Sequence, residues 1–262
     1  MGLRIDQWPP KDKSHKAGNS PSWKYKVLKA PIEVIARILY RPMHIGKVNL
    51  DSLGSNAAIF VSNHDTGLDP AYISKIYKYQ LHILALDNPW WDNSVVRRIL
   101  RELGVIAVPP NGSASESFRA SYNILNSGCT VYLFPEANFM HDKRVIHGKT
   151  GFSRLAIHTG KAILPIGICG IDYHHYLDFL PPLNRKIEVK FGRPRQVKKE
   201  FQVRYSEEND KEVVRGVRDE VMLQIRELSN YAGVLPEVRK ELIEYYKDTK
   251  MDVFTEEIST SS

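Results

Sequence analysis

The chain has 262 residues, of which 42% are hydrophobic, and it carries a net charge of +7 at pH 7. This length and composition predict one domain with a sizeable core and short appendages rather than two domains. No apolar run approaches the ~20 residues needed to span a bilayer. The polar N-terminus lacks the apolar stretch of a signal peptide. The two cysteines, Cys129 and Cys169, are expected to be buried thiols rather than a disulfide.

Positive charge is concentrated near the N-terminus. Residues 1–41 hold nine Lys or Arg against three acids, and so carry six of the seven net charges. Basic segments favour nucleic acid or anionic lipid. The apolar residues that follow at helical spacing, together with Trp23 and Tyr25, favour lipid. We therefore expect an N-terminal amphipathic helix on a membrane surface, with anionic lipids and no nucleic acid as partners. A helix docked on the domain's own core is the alternative.

Strands and helices are predicted to alternate along the chain. Helices are expected over 31–40, 70–79, 93–103, from Ser113 to Gly128, over 151–159 and over 211–228. Strands are expected over 57–62, 81–86, 105–108, 130–134, 162–168 and 186–191. This alternation predicts an α/β fold, a layered αβα domain with a mostly parallel central sheet. We expect a basic, disordered segment over 1–30, the domain over 31–230, and a helix with a frayed tail over 231–262.

The most informative segment, residues 62–70, reads Ser-Asn-His-Asp-Thr-Gly-Leu-Asp-Pro. His64 stands where a predicted strand ends, and Asp69 stands in the N-cap position of the next helix. Open α/β sheets bind their substrates at this edge. An imidazole and a carboxylate that meet across such a turn form a general base, because the carboxylate fixes the tautomer and the other ring nitrogen takes a proton. These residues alone leave an alternative open, in which Asp69 only caps the helix and His64 is only a turn residue.

A second buried strand ends in Phe134, Pro135 and Glu136. Together the two segments resemble the glycerolipid acyltransferase family, whose members acylate glycerol phosphate and lysophosphatidic acid. The family's first motif, Asn-His-x-x-x-x-Asp, is matched by Asn63, His64 and Asp69. Its third motif, Phe-Pro-Glu-Gly, is matched with Ala137 in place of glycine. The apolar run around Pro165 resembles its fourth motif.

The resemblance implies an O-acyltransferase that moves a fatty acyl group from acyl-CoA or acyl carrier protein to a lipid hydroxyl. A thioester is already activated, so neither a cofactor nor a metal is expected. By the same resemblance, His64 is the base, Asp69 orients it, and Glu136 and Asn63 bind substrate. The expected activity is that of a 1-acylglycerol-3-phosphate O-acyltransferase of phospholipid biosynthesis, at the cytoplasmic face of a membrane.

The chain departs from the family at three positions that commonly bind the acceptor's phosphate. The second motif runs into Pro109 rather than Arg, the third continues Ala-Asn-Phe rather than Gly-Thr-Arg, and Asp87 follows a strand where a lysine is usual. The nearest other cations are Lys143, Arg144 and Lys149, and these are the expected replacements. The alternative acceptor is another headgroup, such as a sugar or an amino-acid lipid.

Two other functions stay open from the sequence. One is a non-catalytic lipid-binding protein on the same fold. The other is a metal-dependent hydrolase that uses His64, Asp65 and Asp69. Two further histidine and aspartate clusters lack the spacing of a metal site, and we expect no metal there; they are His141, Asp142 and His147, and Asp172, His174 and His175.

Overall fold

The computed structural model describes residues 21–64, 66–86, 92–108, 114–136, 148–170, 186–208, 211–230, 240, 244 and 252–255. Seven strands form one sheet. In chain order they are β1 Met43–Ile45, β2 Ala58–Ser62, β3 Leu81–Leu86, β4 Val105–Val108, β5 Thr130–Leu133, β6 Ala162–Cys169 and β7 Glu188–Phe191. Their spatial order is β1-β7-β6-β2-β5-β3-β4. Only β6 and β7 pair antiparallel among the described strands, so the sheet is mostly parallel, as predicted.

Eight helices belong to the described residues. They are α1 Trp23–Tyr40, α2 Lys47–Asp51, α3 Asp69–Ser74, α4 Ser94–Glu102, α5 Ala114–Asn126, α6 Gly151–Thr159, α7 Lys199–Glu208 and α8 Lys211–Leu228. Within the described ranges, no helix is both long enough and apolar enough to cross a bilayer.

The sheet separates two apolar layers. Ile59 and Val61 of β2 pack on one face with residues of α5, α6 and α8, whereas Phe60 packs on the other with residues of α1 and α3. This alternation follows from the two-residue period of a strand. Because β2 is covered on both faces, all five of its residues are buried, and four of them are apolar. The result is the αβα layering expected from the sequence.

Helix α1 is longer than predicted and has one buried and one exposed apolar face. It begins at Trp23 rather than at residue 31, because Ser22 caps it by accepting a hydrogen bond from the Tyr25 N–H, at 3.1 Å. Tyr25 and Tyr40 are buried against the domain. A separate stripe of large apolar side chains is exposed; it consists of Trp23, Val27, Val34, Ile35 and Ile38. Docking on the core and an exposed apolar face therefore occur in the same helix.

Other differences from prediction have local causes. Helix α3 is six residues long and ends near Ser74, five residues before the predicted end. Elements β1, α2 and α7 were not predicted, since the first two have only three and five residues and α7 is strongly polar. The predicted C-terminal helix falls almost entirely outside the described residues.

Candidate active site

His64 and Asp69 form a hydrogen-bonded pair at the end of β2. His64 Nδ1 lies 2.9 Å from Asp69 Oδ2. Asp69 is fully buried, whereas the His64 side chain is 17% exposed. A buried carboxylate accepts the Nδ1–H proton, so the lone pair of the ring resides on Nε2. This is the orientation and tautomer that a general base requires.

Thr66 holds the Asp69 carboxylate in place. Its backbone N–H donates to Oδ2 at 3.0 Å, and its hydroxyl donates to Oδ1 at 2.8 Å. With the His64 contact, the carboxylate accepts three hydrogen bonds, which fix its orientation toward the imidazole. The predicted N-cap role is wrong: Leu68 occupies the cap position without a side-chain hydrogen bond, and Asp69 is the first residue of α3. The Asp69 carboxylate instead accepts hydrogen bonds from Thr66 in the turn and from the His64 imidazole.

The imidazole also lies on an aromatic ring. The centroids of His64 and Phe134 are 3.8 Å apart, with an angle of 18° between the ring planes. Phe134 follows β5, which pairs in parallel with β2. Because the two strands end at the same edge of the sheet, the first and third motifs meet there. The stacking limits the rotation of the imidazole, and the Asp69 contact fixes its direction.

Glu136 is buried next to the backbone of His64, with only 2% of its surface exposed. Its Oε2 accepts a hydrogen bond from the His64 backbone N–H at 3.3 Å, and its Oε1 forms an ion pair with Arg226 of α8. Burial raises the pKa of the Glu136 carboxyl, and the Arg226 charge opposes that rise. We take Glu136 as ionised, because a neutral carboxyl would leave the buried guanidinium without a counter-charge. Its predicted role in substrate binding stays a prediction.

Asn63 joins β2 to β6 through its side chain. Its Nδ2 donates to the Ile168 carbonyl and its Oδ1 accepts from the Ile168 N–H, both at 2.8 Å. The amide thus continues the strand pairing after the backbone of β2 has turned away toward His64. Asn63 is 1% exposed. Its predicted role in substrate binding stays a prediction, and its described contacts are with the protein.

Among the expected phosphate-binding cations, Lys149 is described and exposed. Its backbone N–H donates to the Pro135 carbonyl at 2.8 Å, which fixes it beside the third motif. Lys143 and Arg144 lie outside the described residues. So do Asp65 and both of the histidine and aspartate clusters. Within the part of the chain that is described, no group of three potential metal ligands is found.

Comparisons with known proteins bear on the family and the fold of the chain. Residues 43–169 match the model of the Acyltransferase family. Residues 43–169, which are 127 of the 262 residues, thus form an acyltransferase domain. The crystal structure of the 1-acyl-sn-glycerophosphate (LPA) acyltransferase PlsC from Thermotoga maritima has a similar fold, with a TM-score of 0.58 and 20% sequence identity. The similarity covers 79% of this chain and 80% of that one. A search of curated proteins finds no match.

Sequence reasoning missed three residues of this acyltransferase site. Thr66 stands inside the first motif, where a short polar side chain in a turn is a signal for a local hydrogen bond. Phe134 was assigned to a motif but not to contact with His64. Arg226 follows Met222 by four residues and therefore shares the buried face of α8. A lone cation on an apolar helix face signals a buried carboxylate partner.

Proposed function

We propose that this acyltransferase moves a fatty acyl group from acyl-CoA or acyl carrier protein to the free hydroxyl of a 1-acylglycerol-3-phosphate in phospholipid biosynthesis. The observation that carries the proposal is the pairing of His64 with a buried, triply hydrogen-bonded Asp69 at the end of β2. This arrangement supplies a base for a hydroxyl and needs no cofactor, because the thioester is already activated.

The reaction assigns one role to each member of the pair. His64 Nε2 removes the proton from the acceptor hydroxyl as its oxygen attacks the thioester carbonyl carbon. The imidazolium that forms is stabilised by the Asp69 carboxylate. When the tetrahedral intermediate collapses, the C–S bond breaks, and the leaving thiolate takes the proton back from Nε2. The products are the acylated lipid and the free thiol of the carrier, and His64 is again neutral.

Lys149 is the proposed contact for the acceptor's phosphate. Its hydrogen bond to Pro135 puts an exposed cation beside the third motif, which also contains Glu136. Lysine binds phosphate as a point charge, so a single lysine replaces only part of what an arginine pair supplies. Lys143 and Arg144, which stand between Glu136 and Lys149 in the sequence, remain proposed contributors.

A different acceptor headgroup is the second candidate, and one specific observation favours it. All three cations that the family commonly uses for the phosphate are replaced, as the sequence around Asp87, Pro109 and Ala137 shows. The catalytic pair contains nothing that requires a phosphate. A sugar or amino-acid lipid with a free hydroxyl therefore meets the same chemical requirements.

The test is an acceptor panel read by mass spectrometry. Purified protein is incubated with long-chain acyl-CoA or acyl carrier protein and with lysophosphatidic acid, a lysoglycolipid or an amino-acid lipid. Phosphatidic acid as the main product supports the first proposal. An acylated sugar lipid or amino-acid lipid as the main product supports the second candidate acceptor instead. Turnover of thioester by wild type but not by His64→Ala assigns the reaction to the pair, whereas thioester consumption by neither protein favours a lipid-binding role.

We propose that the protein docks peripherally on the cytoplasmic face of a membrane rich in anionic lipid. The exposed stripe of α1 is supplemented by Val95 and Ile99, which are exposed on the adjacent α4. Arg97, Arg98 and Arg101 of α4 are also exposed. Apolar side chains flanked by cations suit the boundary between lipid headgroups and acyl chains.

A basic groove adjoins the stripe of α1 and supports the preference for anionic lipid. It is lined by Arg37, Ile38, Arg41, Pro42 and Lys75 and has a volume of about 470 Å³. Three cations around one concave surface suit a lipid phosphate. Because Lys75 follows α3 and Asp69 begins it, the proposed membrane contact and the catalytic pair lie at opposite ends of one short helix.

A further inference from the structure

Arg226 is the largest fully buried side chain among the described residues, and its position is unusual for a cation. It lies near the end of α8 with no exposed surface. Its one described polar contact is Nη2 with Glu136 Oε1; within the described residues, Nε and Nη1 have no hydrogen-bond partner. Burying a guanidinium is costly without a counter-charge, so the Glu136 carboxylate is what makes this position tolerable.

Close packing brings α8 against the third motif. A Cβ on Gly148 would lie 2.5 Å from Met222 Sδ and 3.0 Å from Pro135 Cβ. A Cβ on Gly167 would lie 2.4 Å from the backbone of Leu228. Both glycines therefore permit contacts that a side chain would block. Arg226, between Met222 and Leu228 on the same helix, is held at a fixed distance from Glu136.

We propose that Arg226 is a positioning residue for the acyl-transfer reaction and acts on His64 through Glu136. The guanidinium holds Oε1 of Glu136, and Oε2 of the same carboxylate accepts the His64 backbone N–H. His64 is thereby fixed at two points, its backbone by Glu136 and its ring by Asp69. This proposal rests on the proposed role of His64 as the base.

The charge of Arg226 also affects the protonation of Glu136. With the guanidinium removed, the buried Glu136 carboxylate loses its counter-charge, and its pKa rises further. Such a carboxyl is neutral at low pH and becomes an uncompensated buried charge at higher pH. Because its folded-state pKa is raised, the variant is stable at low pH and loses stability as pH rises through that pKa.

The experiment compares Arg226→Met, Glu136→Gln/Arg226→Met and wild type. We expect Arg226→Met to lower kcat 10- to 100-fold at pH 8 with the donor KM within twofold, and the deficit to shrink toward pH 5.5. The double variant keeps an oxygen that accepts the His64 N–H and carries no buried charge. It should therefore recover most of the lost kcat and show the same ratio to wild type at every pH.

Arg195→Met is the matched control, because it also removes an arginine that forms an ion pair at α8: Arg195 pairs with Glu220 of that helix. It should lower thermal stability and leave kcat per folded molecule unchanged. A folded Arg226→Met protein with kcat within twofold of wild type overturns the proposal. So does a loss that is equal at all pH values and is not rescued in the double variant, since Arg226 would then act independently of Glu136.

Two further measurements keep the outcomes separate. If Arg226→Met does not fold, the double variant and Arg226→Lys carry the test, and a double variant with unrescued kcat contradicts it. If wild type transfers no acyl group, the proposed function fails by itself. The NMR shift of the His64 backbone amide then tests the positioning: it should move in Arg226→Met and stay in Arg195→Met, and an unmoved signal overturns the proposal.

Discussion

Replacing Asp69 by asparagine isolates the charge of the catalytic pair from its geometry. Asp69 accepts hydrogen bonds from His64 Nδ1, the Thr66 N–H and the Thr66 hydroxyl. An asparagine with its oxygen at Oδ2 keeps the first two. Its NH₂ group then faces the Thr66 hydroxyl, which can rotate to accept. The tautomer of His64 is preserved in this arrangement, and the negative charge is lost.

The expected decrease in kcat follows from the loss of this one negative charge. A hydrogen bond to a charged group contributes about 1.5–3 kcal/mol, against about 0.5–1.5 for a neutral one. The imidazolium of the transition state loses about 1–2 kcal/mol of stabilisation, which corresponds to a decrease in kcat of roughly 5- to 30-fold. Loss of the whole imidazole in His64→Ala should cost at least ~10²-fold.

The assay is single-turnover acyl transfer at saturating donor, with folding checked by circular dichroism. Asp51→Asn is the control, since Asp51 forms an exposed pair with Lys47 and should have no effect on kcat. A loss near 10⁴-fold in Asp69→Asn would mean that its NH₂ group faces the ring and reverses the tautomer. Near-normal turnover in His64→Ala refutes the proposed base.

Three further predictions concern membrane binding, the acceptor and packing. Val27→Asp/Ile38→Asp should weaken sedimentation with phosphatidylglycerol vesicles at least 10-fold, and wild-type binding should fall in 1 M salt, where the Debye length is ~3 Å; equal wild-type binding to neutral vesicles contradicts this. Lys149→Ala should raise the acceptor KM roughly 10- to 100-fold with the donor KM unchanged, because a charge-assisted contact contributes about 1.5–3 kcal/mol; an unchanged acceptor KM removes Lys149 from the site. Gly167→Ala should lower the free energy of unfolding by about 1–3 kcal/mol in urea titration, because its Cβ would overlap the backbone of α8, whereas Gly151→Ala, with open space around it, should change it little.

The alternation of strands and helices was predictable because the strands are short, apolar and separated by glycine, proline or polar turns. Strand β3 over 81–86 and helix α6 over 151–159 begin and end where the sequence predicts. The start of α1 was not predictable in the same way. The prediction followed apolar spacing from residue 31, and the actual start depends on Ser22 as a cap and on Tyr25 packing against the domain.

The candidate site likewise has contacts that the sequence predicts and contacts that it does not. His64 and Asp69 were predictable because both stand in one short turn, and a contact between them needs only local geometry. Arg226 is 90 residues from Glu136 in the sequence, and their contact depends on how α8 packs against β6. A pattern of residues within α8 indicates a buried cation, but it does not indicate which carboxylate lies opposite.

The Asn63 side chain determines which substitutions the first motif can accept without disturbing the sheet. Its amide presents a donor and an acceptor to the Ile168 backbone at the same time. Aspartate has the same shape but lacks the donor, and serine is too short to reach both groups. The described contacts of Asn63 are thus with the sheet, whereas the proposed base is the adjacent residue of the same motif, His64. A variant that lacks His64 but keeps Asn63 should therefore retain this connection between β2 and β6, whereas Asn63→Asp should weaken it.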